Sequence, residues 1–169
     1  ILRIDAFYDG VVRDLTSLKR LEVTVDEAQR FALHENDIVI NRVNSPEYLG
    51  KSALIPALRE PTVFESNMMR FAVDSTSVLP RYVIALLQTA AARAHFLSNA
   101  KHAINQSSIN QQDVKSLPVA LPPIALQEDF KVKAEAVESI NAQQLAALER
   151  AQATFNALLA QAFAPHGSL

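Results

Sequence analysis

The run NRVNSPEYLGKSALI, Asn41 to Ile55, crowds Arg42, Asn44, Ser45, Tyr48 and Lys51 into one short loop between two apolar segments. All five can donate hydrogen bonds, and Ser52 follows directly. A second polar run, Gln106, Ser107, Ser108 and Asn110, is the richest in amides and hydroxyls in the chain. Donors and acceptors held rigidly in this way suit the reading of base edges in a nucleic-acid groove. The other reading is an ordinary polar connection, with Arg42 resting on a neighbouring carboxylate. The cations are sorted by type: residues 1–100 hold nine Arg and two Lys, and the remainder holds one Arg and four Lys. Arginine presents a planar fork matched to guanine edges and phosphates, and lysine a mobile point charge. The front of the chain therefore reads as the recognising part. The twelve Asp and Glu of the same segment could equally pair with several of these arginines.

Other chemistries find no residues to carry them. The only glycines are Gly10, Gly50 and Gly167, so no glycine-rich phosphate or cofactor loop is expected. No catalytic set and no Asn-Pro-Pro-aromatic run of an amino-methyltransferase is present. His34, His95, His102 and His166 lack paired metal-ligand spacing, and there is no cysteine, so neither a metal nor a cofactor is expected. His102, beside the second polar run, could reach a phosphate or lie idle at the surface. DFK, Asp129 to Lys131, looks like the tail of a nuclease motif but reads as a solvated charge pair on a helix.

These residues need a scaffold, and 169 residues at 49% hydrophobic suit one domain plus an appendage. The formal charge of −2 announces no global basic field. No apolar run reaches the ~20 residues that span a bilayer. The chain opens on Ile1 rather than Met, which suggests a natural segment upstream.

Strands are expected at LRIDAF (Leu2 to Phe7), LEVTV (Leu21 to Val25), DIVINRV, SALIPAL, TVFES and NMMRFAV, with turns at Asp9-Gly10 and His34 to Asp37. Asp26 is the expected cap of a short helix running to about Phe31. Helical spacing returns after Leu79, with Pro80 in the first turn and one helix running to Ser98-Asn99. Loop, short helix and strand follow as far as Pro122-Pro123. From about Ile124 to Phe163 no Gly or Pro interrupts, which predicts a helix of ~60 Å at ~1.5 Å per residue. One face carries Phe130, Ala134, Val137, Leu148, Ala151, Phe155, Leu158 and Ala162, in the steps of a helix–helix seam. Asn141 and Gln144 interrupt the stripe and could set register. The expected fold is α+β: a mixed or antiparallel, partly barrel-like sheet with packed helices, then one long projecting C-terminal helix. The alternative is a helix folded back on its own sheet.

The order of these pieces resembles one half of the specificity subunit of type I restriction–modification systems. The likeness rests on NDIVINR with LGKSALI, and on INQQDVKSLPVALPPIALQEDF with its helix. It implies a target recognition domain over 1–117 and a conserved spacer segment over 118–169, whose helix runs from about Pro122 to Phe163. It implies double-stranded DNA, a methyltransferase (modification) subunit and a second copy or second half of the specificity subunit as partners. It also implies a prokaryotic cytoplasmic setting, no membrane and no catalysis by this chain. A self-paired half-subunit would read a palindromic interrupted site.

On this resemblance Arg42 would fork onto a guanine, Asn44 would pair with an adenine, and Tyr48 would stack or donate. Ser45 joins them in the loop, and Lys51 and Ser52 would hold phosphates. Gln106, Ser107 and Ser108 form a second contact set, with Arg13, Arg20, Arg70 and Lys101 as further DNA contacts. Phe130, Val137, Asn141, Gln144, Leu148, Phe155 and Leu158 would form the helix–helix interface. The competing reading is a coiled-coil assembly module. A weaker one is the recognition domain of a fused restriction-methyltransferase.

Overall fold

The structure is a computed structural model, and it describes residues 1–104 and 106–163; His166 lies outside them. The chain divides into two compact units, Ile1–Gln127 and the segment from Glu128 onward.

The first unit is built on a five-stranded mixed sheet. In chain order its strands are β1 (Phe7–Tyr8), β2 (Gly10–Val12), β3 (Ile38–Asn41), β5 (Ser52–Leu54) and β6 (Met68–Phe71), arranged β1-β2-β5-β3-β6. Only the β2–β5 pair is parallel. Every residue of β3 is buried, which is why DIVIN reads as an apolar run and not as an alternation. Its side chains divide between two cores. Val39 packs with Leu2, Phe7, Ile55 and Phe64, while Ile38 and Ile40 pack with Val83, Ile84, Leu87 and Phe96. The sheet is therefore covered on both faces.

β4 (Val43–Asn44) belongs to a second sheet, with β7 (Lys101–Ala103) and β8 (Gln106–Ser108) in the order β4-β8-β7. Four helices complete the unit's secondary structure: α1 (Val25–Arg30), α2 (Pro80–Leu87), α3 (Ala90–Asn99) and α4 (Gln111–Lys115). A fifth, α5 (Ile124–Ala162), begins in it.

Several elements differ from the sequence reading. LEVTV forms no strand. Leu21, Val23 and Val25 are exposed, and Thr24 is the cap of α1 in place of Asp26. The Thr24 hydroxyl accepts from the Glu27 amide, and the Glu27 carboxylate accepts from the Thr24 amide, a reciprocal box that overrides local β propensity. TVFES contributes only isolated bridges, Leu2 to Phe64 and Ala32 to Val63. LRIDAF shrinks to a bridge at Leu2 and the short strand at Phe7. The helix expected after Leu79 is two helices, because Thr89 caps a new start by accepting from the Ala92 amide. No strand forms between Leu117 and Pro123.

One buried polar side chain ties the end of the first unit to its centre. Gln127 is fully buried. Its Oε1 accepts from the Leu79 amide at 2.9 Å, and its Nε2 donates to the carbonyls of Pro122 at 2.8 Å and Ser77 at 3.3 Å. An amide side chain removed from water needs such partners. Gln127→Ala leaves one amide and two carbonyls without them. The expected loss is ~1–3 kcal/mol of unfolding free energy, measured by urea titration of the full chain.

Candidate nucleic-acid interface

The run from Ile38 to Asn44 is one extended segment that serves two sheets. β3 pairs between β5 and β6 in the large sheet, and β4 pairs at once with β8 in the small one. Arg42 is the residue between them. Its amide donates to the Asn67 carbonyl and its own carbonyl accepts from the Ile109 amide, both at 2.9 Å. Its side chain is exposed and has no partner among the described residues. A fixed backbone carrying an uncommitted guanidinium is what preorganised recognition asks for.

The same pairing unites the two polar runs. Asn44 lies opposite Ser107, which lies opposite His102; Val43 lies opposite Ser108, which lies opposite Lys101. Gln106 faces Ala103 across the β7–β8 pair. Directly opposed residues share a face, so Lys101, Gln106 and Ser108 lie on one side and Asn44, His102 and Ser107 on the other. Ser107 is buried, with its Oγ 2.8 Å from His102 Nδ1. That contact gives His102 a place in the sheet in addition to its exposure. Lys101 and Gln106 are exposed, and neither has a side-chain partner among the described residues.

The rest of the loop is held from beneath. Gly50 has φ +75°, and a Cβ there would stand 2.5 Å from Phe96 of α3, so only glycine fits. Leu49 and Phe96 join the core on that side. Asn41 is fully buried at the base of the loop; its amide donates to the Lys51 carbonyl and its carbonyl accepts from the Gly50 amide. Lys51 then locks the loop to β1. Its Nζ donates to the Ile4 carbonyl and lies 3.9 Å from the Tyr8 ring centre, 4.9 Å from Phe7 and 5.4 Å from Tyr48. Burial holds the Lys51 ammonium pKa below its ordinary value. The neighbouring Glu47 carboxylate raises that of the Tyr48 phenol.

The proposed contacts therefore fall into distinct groups. Arg42, Ser45, Lys101, Gln106 and Ser108 gather on or beside the small sheet; Asn44 lies on its opposite face, with Oδ1 accepting from the Ser45 amide at 2.8 Å, and Tyr48 lies edge-on to Tyr8 at 6.4 Å. Ser52 does not stay available to phosphate: it is fully buried and its Oγ accepts from Gln88 Nε2 at 3.0 Å. Ser107 is corrected likewise, as a buried partner of His102. Lys51 is committed to its aromatic cage. Arg20 forks onto Glu60 at 2.8 and 3.0 Å, and Arg70 reaches the buried Asp37 at 3.1 Å. Those two are arginines balanced by carboxylates. Arg13 lies over the Tyr8 ring at 4.4 Å.

One signal escaped the sequence reading. No Asp or Glu occurs from Ser75 to Gln112, a stretch that holds Arg81, Arg93 and Lys101 and covers α2, α3, β7 and β8. Arg93 is exposed on α3 without a partner among the described residues. The overall charge of −2 hides this segregation.

In the second unit the apolar positions of α5 are open: Phe130 is 37% exposed, Val137 56%, Leu148 65%, Phe155 56% and Leu158 59%. Asn141 and Gln144 sit in the same turns as Ile140 and Leu145, exposed apolar residues that the stripe had left out. Asp129 pairs with Lys133 at 2.6 Å, one helical turn on, so DFK carries surface ion pairs. Among the described residues no cluster of His, Asp or Glu could hold a metal ion. Among the same residues no helix is long and apolar enough to cross a membrane.

No protein-family model matches the chain. A Methanocaldococcus jannaschii protein, provisionally assigned as the type I restriction enzyme MjaX specificity subunit, is 31% identical over 131 residues, 77% of this chain and 31% of that protein. The type I restriction enzyme EcoKI specificity subunit of Escherichia coli K12 is 28% identical over 168 residues, 96% of this chain and 36% of that protein. The chain is homologous to type I restriction enzyme specificity subunits. It spans about a third of the length of these relatives. A chain solved in work on complex assembly and conformational transition of the type I restriction–modification system shares the fold. It has a TM-score of 0.69 at 17% identity, over 99% of this chain and 44% of that chain. A specificity-subunit half is the extent that such coverage fits.

The Lys51 cage should matter to the loop's stability. Lys51→Met keeps the stem and removes the charge above Tyr8. The expected loss is about 1 kcal/mol by thermal or urea unfolding.

Proposed function

We propose that this chain is a non-catalytic, sequence-specific DNA recognition module of a type I restriction–modification system. It reads one half of a bipartite target and directs the methyltransferase and restriction subunits to it. The observation that carries this reading is the β4–β8 pairing, which joins two polar runs far apart in sequence into one small sheet. Arg42, Lys101 and Gln106, whose side chains have no partner among the described residues, stand on that sheet or at its margin.

Recognition falls to residues 1–117 and spacing to 118–169. Arg42 and Gln106 meet base edges, Gln106 through its amide, while Asn44, on the opposite face of the small sheet, holds the Ser45 amide. Lys101, Ser45, Ser108 and the added Arg93 meet phosphates, and Tyr48 stacks or donates. The acid-free stretch from Ser75 to Gln112 supplies a local positive field where the whole chain has none, and a bound methyltransferase subunit adds the remaining backbone electrostatics. Phe130, Val137, Leu148, Phe155 and Leu158 pack on a second such helix, with Asn141 and Gln144 setting its register. That helix comes from a second copy or a second half of the subunit, in a prokaryotic cytoplasm. The open apolar stripe would serve a pure assembly module equally well, but such a module gives no use to the unpaired donors.

Arg42→Ala separates the two. In the assembled enzyme it is expected to relax base choice at one position by ~10- to 100-fold, with an unchanged unfolding midpoint, as read by methylation-site mapping. An unchanged site pattern and rate would remove Arg42 as a reader. Leu148→Asp with Phe155→Asp is expected to lower the mass seen by light scattering or to abolish co-purification with the methyltransferase subunit. Unchanged mass with intact co-purification would count against the seam.

A further inference from the structure

Ile104 is 94% exposed, the largest value among the exposed large apolar residues of the described chain. It is the first of the two residues that join β7 to β8, directly after the Ala103–Gln106 pair. A single exposed apolar side chain is ordinary on a protein surface. This one has neither of the usual accounts. It contributes nothing to a core, and two-residue hairpin connections favour Gly, Asn and Asp over a β-branched residue. The strands beneath it carry Lys101 and Gln106, both exposed and without side-chain partners among the described residues, in a stretch that has no carboxylate. β8 is also the strand that pairs with β4, next to Arg42.

We infer that Ile104 is a specificity-determining residue, making apolar contact with the 5-methyl group of a thymine in the major groove of the target half-site. The inference rests on the DNA-reading function proposed above. The chemistry follows from the groove: the thymine methyl is the one apolar feature on its floor, and polar donors cannot reward it. A branched aliphatic side chain at a hairpin tip, flanked by Lys101 for the phosphates and Gln106 for a neighbouring base edge, is suited to cover that methyl. The β-branch adds to this, since a stiff χ1 keeps the contact in one place.

The test uses the full chain in the complex it forms with its methyltransferase subunit. Duplexes are first selected from a random-sequence pool. If no consensus emerges, the DNA-reading function itself fails, and this inference with it. With a consensus in hand, each thymine is replaced in turn by uracil, which removes only the methyl. At one position the wild type is expected to bind about fourfold more weakly, as befits one methyl returned to water. Ile104→Ala should be insensitive to the same replacement and should accept cytosine there more readily. The exposure of the site leaves folding intact, which the unfolding midpoint of the variant verifies. The inference is overturned, with the function left standing, if selective binding occurs but no thymine is methyl-sensitive. It is equally overturned if the sensitivity persists in Ile104→Ala.

Discussion

The structure depends on a single extended segment, Ile38 to Asn44, being shared by two sheets. Its first four residues are buried on both faces and fix their register through β5 and β6. A one-residue slip would exchange Val39 with Ile38 and Ile40 between the two cores, which packing forbids. The next residues inherit that register. Arg42 cannot move along the chain direction without breaking β3, and its backbone is tied at both polar groups. Precision at the surface thus comes from burial a few residues away.

The charge distribution obeys a similar division. Several carboxylates pair with arginines outside the small sheet: Asp37 beneath Arg70, Glu60 on Arg20, Glu65 beside Arg3. Each such pair neutralises an arginine that composition alone would have offered to a phosphate. The residues around the small sheet have no carboxylate of their own segment to meet, and Arg93 and Lys101 have no side-chain partner among the described residues. A nearly neutral molecule can in this way carry a locally cationic edge.

The two units draw on different sources of order. The first has two hydrophobic cores and buried polar groups such as Gln127 and Ser107 that find partners. In α5 the only buried residue among those described is Gln127, and the apolar positions beyond it are open. A helix gains most of its stability from packing an apolar face, and in α5 those apolar positions are exposed.

The sequence by itself determined the strongly periodic and the strongly buried parts: DIVINRV as a strand, the helical region after Leu79 and the uninterrupted α5. Local patterns suffice there because burial and 3.6-residue spacing are written in neighbouring residues. It misread LEVTV and the single helix through Thr89, where one capping side chain outweighed propensity. It also could not separate Ser52 and Ser107, which are buried, from Ser45 and Ser108, since a serine is equally at home in either setting. Only the tertiary structure decided that Asn44 and Ser107, far apart in the chain, are paired across two strands, and that Lys51 sits in an aromatic cage while the Arg42 side chain has no partner among the described residues. Those outcomes depend on which backbone edges and rings meet across long sequence separations, and no window of the chain contains both partners.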